Sequence, residues 1–271
     1  LALLELERFE EAVKSFDNAI QINPDDIDYW YMRGLTLSDL DRDEEAITSY
    51  AKVLQLKSDE QEFWFSEHEV WFRQANALDN LERYEEALIS YNKALELKPD
   101  YFQALLLRGL ILDKLEQNEK ALASYDRVLQ IKHDYHEAWY LKGLKLDELG
   151  QFEEAIASYE KAIQIQADNE DYWYEISNVL YKVQRDEEAL LSCEKALEIQ
   201  PEYYQAWFLR GKILDELGRY EEAVVSYEKA LRLKSDDPNY WYMHGQALRQ
   251  MKQFEKAVAS YDKTLELKPD D

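Results

Sequence analysis

Glu153-Glu154-Ala155-Ile156-Ala157-Ser158-Tyr159 and, 68 residues later, Glu221-Glu222-Ala223-Val224-Val225-Ser226-Tyr227 are nearly interchangeable, and reading them together decides the fold. The alanine in each belongs to a series: Ala12, Ala46, Ala87, Ala121, Ala155, Ala189, Ala223 and Ala257. Successive alanines lie 34 residues apart in six intervals and 41 apart in one, Ala46 to Ala87. A fixed period of this size marks stacked repeats rather than ordinary domains. The 271 residues therefore read as a 34-residue array with one seven-residue insertion.

With this alanine numbered position 20, other residues fall into step. Position 4 is Trp30, Trp71, Trp139, Trp173, Trp207 and Trp241, with Leu105 as the exception, and position 8 is Gly34, Gly109, Gly143, Gly211 and Gly245. Position 11 is always leucine, from Leu37 to Leu248. Position 24 is aromatic in every unit except the one holding Cys193, and position 32 carries Pro24, Pro99, Pro201 and Pro269. Positions 4, 7, 8 and 11 share one stripe at about 100° per residue, and positions 20, 24 and 27 share another, so each unit is two amphipathic helices. Large residues at 4, 11 and 24 against Gly or Ala at 8 and 20 let one helix seat closely on the next. Asp25, Asp100, Asp134 and Asp236 stand where the first helix needs an N-cap. A single helix pair is too small to bury its own apolar face, so stability comes from stacking on neighbours.

These residues resemble the tetratricopeptide repeat, in a bacterial-type, near-consensus form, over the whole chain. The resemblance implies an all-α, right-handed superhelical α-solenoid of helix-turn-helix repeats, with the first helices lining its concave side. The expected units are a truncated repeat at 1–26, then 27–60, 61–101, 102–135, 136–169, 170–203, 204–237 and 238–271. Because Leu1 falls at position 9 and Asp271 at position 34, the sequence reads as an excerpt of a larger protein.

Composition limits the function. Lys plus Arg number 32 and Asp plus Glu 57, a net charge of −25. A nucleic-acid binder gains affinity by neutralising phosphates, so none is expected, and a cationic protein or peptide is the favoured partner. No apolar run approaches the roughly 18 residues of a membrane span. One cysteine and no signal peptide suit a cytoplasmic location.

Little is left for chemistry. Five of the seven glycines sit at position 8, and Gly150 and Gly218 lie in the turn between helices, so no phosphate loop remains. Cys193 at position 24 reads as a small buried thiol. His133 and His136 amount to half a metal site at most, and His68 and His244 are isolated. The Glu-Glu pairs at positions 18 and 19 recur in six of eight units, whereas catalytic carboxylates need unlike surroundings. No catalytic residue, metal or cofactor is expected.

Positions 2, 5, 6, 9, 12 and 13 of the first helix lie opposite its buried stripe. Over seven units these 42 residues carry −7, about twice the charge density of the remainder. Position 5 adds a row of large groups: Tyr31, Phe72, Leu106, Tyr140, Tyr174, Phe208 and Tyr242. With Asn76 and Asn178 at position 9, and Asp113, Asp147 and Asp215 at position 12, they form a candidate peptide-binding groove for a basic, partly apolar segment. The competing reading is that the position-5 rings only pack adjacent helices. Position 5 has no lysine, so the two-carboxylate clamp of chaperone-binding members of the family is missing. Position 6 has no asparagine ladder like that of the sugar-transferase members.

The insertion, at or near Gln61–Glu67, is expected to lengthen the first helix of 61–101 by almost two turns. Phe63, Trp64 and Phe65 would then form a rim knob for a partner, or else pack on their own neighbour. The expected function is a protein-protein interaction scaffold. The alternative is the regulatory or substrate-docking arm of an enzyme whose catalytic domain lies outside the chain, and end-to-end self-association through the terminal repeats is a third possibility.

Overall fold

A computed structural model describes residues 2–56 and 64–268. These form sixteen α-helices and no strand, and they separate into two compact units. The first unit, residues 1–133, holds α1 (Ala2–Glu5), α2 (Phe9–Ile22), α3 (Ile27–Ser38), α4 (Asp43–Leu56), α5 (Glu67–Asn80), α6 (Tyr84–Leu97), α7 (Phe102–Lys114) and α8 (Asn118–Ile131). The second, residues 134–271, holds α9 (His136–Glu148), α10 (Phe152–Ile165), α11 (Glu170–Lys182), α12 (Asp186–Ile199), α13 (Tyr204–Glu216), α14 (Tyr220–Leu233), α15 (Pro238–Gln250) and α16 (Phe254–Leu267). From α3 onward the odd helices are the first, and the even the second, of each repeat.

Within a repeat the two helices meet where position 8 faces position 24. A Cβ added to Gly34, Gly109, Gly143, Gly211 or Gly245 would stand 2.4–2.6 Å from the tyrosine ring sixteen residues later. Tyr50, Tyr125, Tyr159 and Tyr227 are completely buried, so these rings have nowhere to retreat. The repeat holding the smaller Cys193 at position 24 is also the one where position 8 grows to Ser177. Tyr50 shares a hydrogen bond with Ser38 at 3.1 Å, Tyr91 donates to Asn76 at 2.7 Å, and Tyr125 donates to Asp113 at 3.1 Å. These three phenols are satisfied, whereas the buried Tyr159 hydroxyl has no hydrogen-bond partner among the described residues.

Between repeats, position-4 indoles fasten first helices to the turns before them. Trp30, Trp173, Trp207 and Trp241 donate Nε1–H to the backbone carbonyls of Pro24, Ala167, Pro201 and Ser235, all at position 32, over 2.8–2.9 Å. The turn inside each repeat passes through the left-handed region at position 15. Gly150 and Gly218 supply that conformation freely, while Asp41, Glu82, Glu116, Gln184 and Lys252 adopt it with a side chain.

Two expectations are corrected. The capping carboxylates lie one residue later than expected: Asp26 and Asp237 accept the backbone N–H of Asp28 and Asn239, and Asn169 caps α11. Asp100 and Asp134 precede the cap positions Tyr101 and Tyr135, whose side chains make no cap hydrogen bond. The first helix of 61–101 is not lengthened by almost two turns. α5 starts at Glu67 after Ser66, whose φ of −99° and ψ of 147° are extended, with Trp64 and Phe65 in the bend before it. The bend lets these neighbouring rings reach the same target, Tyr31. Phe63 and the remainder of 57–63 lie outside the described residues.

Candidate functional site

In the first unit, the position-5 side chains Tyr31, Phe72 and Leu106 are buried, at 3%, 8% and 9% exposure. Phe65 stacks on Tyr31 with ring centres 4.0 Å apart, and Trp64 stands edge-on to it at 5.2 Å while donating Nε1–H to Asp28 at 3.0 Å. Tyr101 leans on Phe72 at 4.8 Å and donates its hydroxyl to Glu69 at 2.6 Å. The insertion is thus tied to its own neighbour, although Trp64 keeps much of its indole in solvent.

The second unit repeats the arrangement. Tyr172 leans on Tyr140 at 4.7 Å, Tyr203 on Tyr174 at 5.1 Å, and Tyr240 stacks on Phe208 at 4.1 Å and 18°. Tyr203 donates to Asp171 at 2.7 Å, and the Tyr172 hydroxyl meets His136 Nδ1 at 2.7 Å. Position 5 is therefore a joint: the ring of one repeat receives an aromatic side chain from the residues that lead into, or open, the first helix of the next. Sequence reasoning missed the second half of each joint because the covering residue moves between positions 34 and 3. Tyr140, Tyr174 and Phe208 still keep partly open edges, and Tyr242 is exposed.

The polar members of the face divide into paired and unpaired groups. Asn76 is occupied by Tyr91 and Asp113 by Tyr125. Asp147 accepts both of its oxygens' bonds from Lys182 of the next repeat, at 2.8 and 2.7 Å, as Asp79 accepts one from Lys114. Glu175 and Asp215 have no ion-pair partner among the described residues. Burial, then Asp147, raises the Glu175 carboxyl above its ordinary range, opposed by the charge of Lys182 and by a hydrogen bond from Asn178. Burial raises Asp215 to about 6; one of its oxygens is buried without a hydrogen-bond partner, and Glu216 adds like charge.

A carboxylate held above its unfolded value favours the protonated form in the native state. Its destabilising effect is therefore full above the folded pKa and fades as pH falls through about 6 towards 4 for Asp215. Asp215→Asn is expected to raise stability by about 1–2 kcal/mol at pH 7.5, less than the whole shift because the group is partly solvated. The difference from the parent chain should vanish near pH 4 in urea titrations; a lower stability of the variant at pH 7.5 would contradict the assignment.

No described group of three or more His, Cys, Asp and Glu side chains is arranged to hold a metal ion. Cys193 is buried, donates to the Ala206 carbonyl, and burial pushes its thiol up to about 12, far from a reactive thiolate. His244 is buried against Ser260, and burial lowers its pKa. In five of the six recurrent pairs the second glutamate takes an arginine three residues earlier, as in Arg83 with Glu86 and Arg219 with Glu222, on the solvent side of the second helices. No described helix is long and apolar enough to cross a membrane.

Comparison with known proteins gives consistent results. A family model described as tetratricopeptide repeat matches residues 27–60, 102–135, 170–203 and 238–271, and two others so described match 68–101 and 192–225. A model described as TPR repeat matches 1–41, 143–184 and 211–248. No curated protein matches the chain. Among solved structures, YrrB, described as a TPR protein with an unusual peptide-binding site, is 25% identical over 66% of this chain and 93% of its own, with a TM-score of 0.60. The C-terminal part of a TPR repeat-containing protein from Cytophaga hutchinsonii is 20% identical over 89% and 96%, with a TM-score of 0.73. MamA from Desulfovibrio magneticus RS-1 is 20% identical over 62% and 95%, with a TM-score of 0.60. The last two likenesses bear on the fold alone.

Proposed function

We propose, on the premise that the chain belongs to the tetratricopeptide repeat family and is thus a protein-protein interaction scaffold, that its second unit captures a basic, partly apolar peptide segment on the first-helix face. The observation that carries this reading is the pair Glu175 and Asp215. Both are partly buried carboxylates without an ion-pair partner among the described residues, and Glu175 lies beside Tyr140 and Tyr174. Keeping such groups ionised is unfavourable in the free protein, and an incoming Lys or Arg removes that penalty. The rings supply apolar and cation–π contact for the rest of the segment. A shallow cavity of about 480 Å³ bounded by Phe208, Lys212, Tyr242 and Met243 gives room for an apolar side chain at one end of this face. The peptide-binding site described for YrrB lends the reading support by likeness.

The burial of Tyr31, Phe72 and Leu106 makes the corresponding face of the first unit a poorer receptor. Alanine at Tyr140, Tyr174 or Phe208 also removes an inter-repeat joint, so binding is better tested through the carboxylates. Calorimetry with a synthetic peptide alternating Lys with Leu and Phe should show saturable binding, weakened about tenfold by combined Glu175→Gln and Asp215→Asn, as expected for loss of charge-assisted contacts. Equal affinity for the parent chain and the double variant would sink the proposal.

A further inference from the structure

Position 7 lies on the buried stripe of the first helix, on the side away from the proposed peptide face, yet it is polar in six of seven repeats: Arg33, Gln74, Arg108, Lys142, Arg210 and His244. The contacts of these side chains show why. Arg33 donates to Asp17 of the preceding repeat at 2.7 Å and to Ser49 of its own at 2.7 Å. Arg210 donates to Glu194 of the preceding repeat at 2.9 Å and to Ser226 of its own at 2.7 Å, with its guanidinium 5.9 Å from the centre of the Trp207 ring. Lys142 stands over Trp139 at 5.4 Å, and His244 meets Ser260 at 3.0 Å. A cation at position 7 thus closes a seat made by position 25 of one repeat and by the indole at position 4 and the serine at position 23 of the next. Serine holds position 23 in all eight units. An acidic residue at position 25 is followed by Arg, Lys or His at position 7 in four of five junctions.

The fifth junction breaks the rule inside the second unit, between α10 and α12 over α11, with a described repeat on either side. Position 7 is Ile176, buried at 5% exposure, while Glu160, Trp173 and Ser192 keep the rest of the seat. Isoleucine carries no charge and reaches less far than arginine. Among the described residues Glu160 makes no ion pair, and Ser192, itself buried, makes no side-chain hydrogen bond. Trp173 is held as Trp207 is, through Nε1–H to a backbone carbonyl at 2.8 Å. These three residues line an open cavity of about 460 Å³ together with Ile176, Leu180 and Leu191, and Leu191 is 65% exposed. Arg185 at the rim is engaged by Glu188 and Glu153.

We propose that this cavity receives an arginine side chain from a partner protein segment. The guanidinium pairs with Glu160, donates to Ser192 and lies on Trp173, making from outside the contacts that Arg210 makes within the chain. Its planar fork serves carboxylate and hydroxyl at once, as the forks of Arg33 and Arg210 do. Apolar neighbours of that arginine cover Leu191. The site uses neither Glu175 nor Asp215 and lies on the other side of α11, so its fate is separate from that of the basic-segment face.

The probe is a blocked peptide of sequence Gly-Leu-Arg-Leu-Gly, titrated into the whole chain and followed by NMR at the Leu191 methyl groups and the Ser192 amide. Saturable shift changes are expected there, with an isotherm unchanged by combined Glu175→Gln and Asp215→Asn. Glu160→Gln in the chain, and separately citrulline in place of the peptide's arginine, should each weaken binding about tenfold, the scale of one charge-assisted contact. Ile176→Arg should abolish binding, because the chain then fills its own seat as Arg210 does. Circular dichroism checks that the fold persists, and Glu160→Gln, on an exposed side chain, keeps the test decisive if Ile176→Arg does not fold. Absence of saturable shifts at these groups, affinity indifferent to Glu160→Gln or to a folded Ile176→Arg, or a citrulline peptide that binds as well, overturns the proposal. So does equal affinity for N-acetylarginine methylamide, which would make the seat one for a free guanidino compound.

Discussion

Gly211→Leu is expected to destabilise the second unit by about 2–3 kcal/mol, and Tyr227→Ala by about 3–5 kcal/mol, while the double variant loses clearly less than the sum. At Gly211 a Cβ would sit 2.4 Å from Tyr227 Cε1, the tightest of the five such contacts, and Tyr227 is completely buried. Better helix propensity at position 211 does not offset a ring displaced from a close-packed site. Removing that ring leaves a cavity that the leucine can enter, which is why the two changes must couple. Urea titrations of the four chains of the cycle measure this. Additive losses would show that position 8 is glycine for a reason other than the ring at position 24.

Phe208→Ala is expected to cost about 2–4 kcal/mol, felt chiefly as uncoupling of the last repeat rather than as uniform loss. Phe208 touches Tyr227 in its own repeat at 5.7 Å and stacks on Tyr240 of the next at 4.1 Å, so one truncation opens both the intra-repeat and the inter-repeat contact. In a chain of nearest-neighbour interfaces, the elements beyond a weakened joint open first. Amide exchange should accelerate in α15 and α16 while α9 to α12 keep their protection. Equal acceleration throughout the second unit would contradict the joint.

The repeat made the helix pairs legible because Gly, Leu, Trp and Tyr recur at fixed register, and each corresponds to a contact found here: glycine under a ring, indole on a carbonyl. The joint at position 5 was only half legible. Its fixed member, such as Phe208, stays in register, whereas its cover is Tyr240 at position 3 in one repeat and Tyr203 at position 34 in another, so periodicity does not align them. The insertion was misread for a related reason: seven residues preserve helical phase, but phase is not helicity, and contacts of Trp64 and Phe65 with Tyr31 draw the chain into a bend. Among the acidic residues of the face, the sequence could not separate Asp147, neutralised by Lys182, from Asp215, which has no such partner.

The measurement that bears most directly on the proposed function is the pH dependence of basic-peptide binding. A bound cation holds Asp215 ionised, so proton competition enters only as pH falls through about 6, the value to which burial raises this carboxyl in the free chain. Calorimetry with the Lys-Leu-Phe peptide from pH 7.5 to 5 should give constant affinity above pH 7 and falling affinity below about 6, with proton uptake by the buffer on binding near pH 6. In the Glu175→Gln, Asp215→Asn chain the affinity should be weak and nearly flat over that range. A parent chain whose affinity is the same at pH 7.5 and 5, or a double variant that follows the parent's profile, would contradict the assignment of these two carboxylates as the receptor for the basic segment.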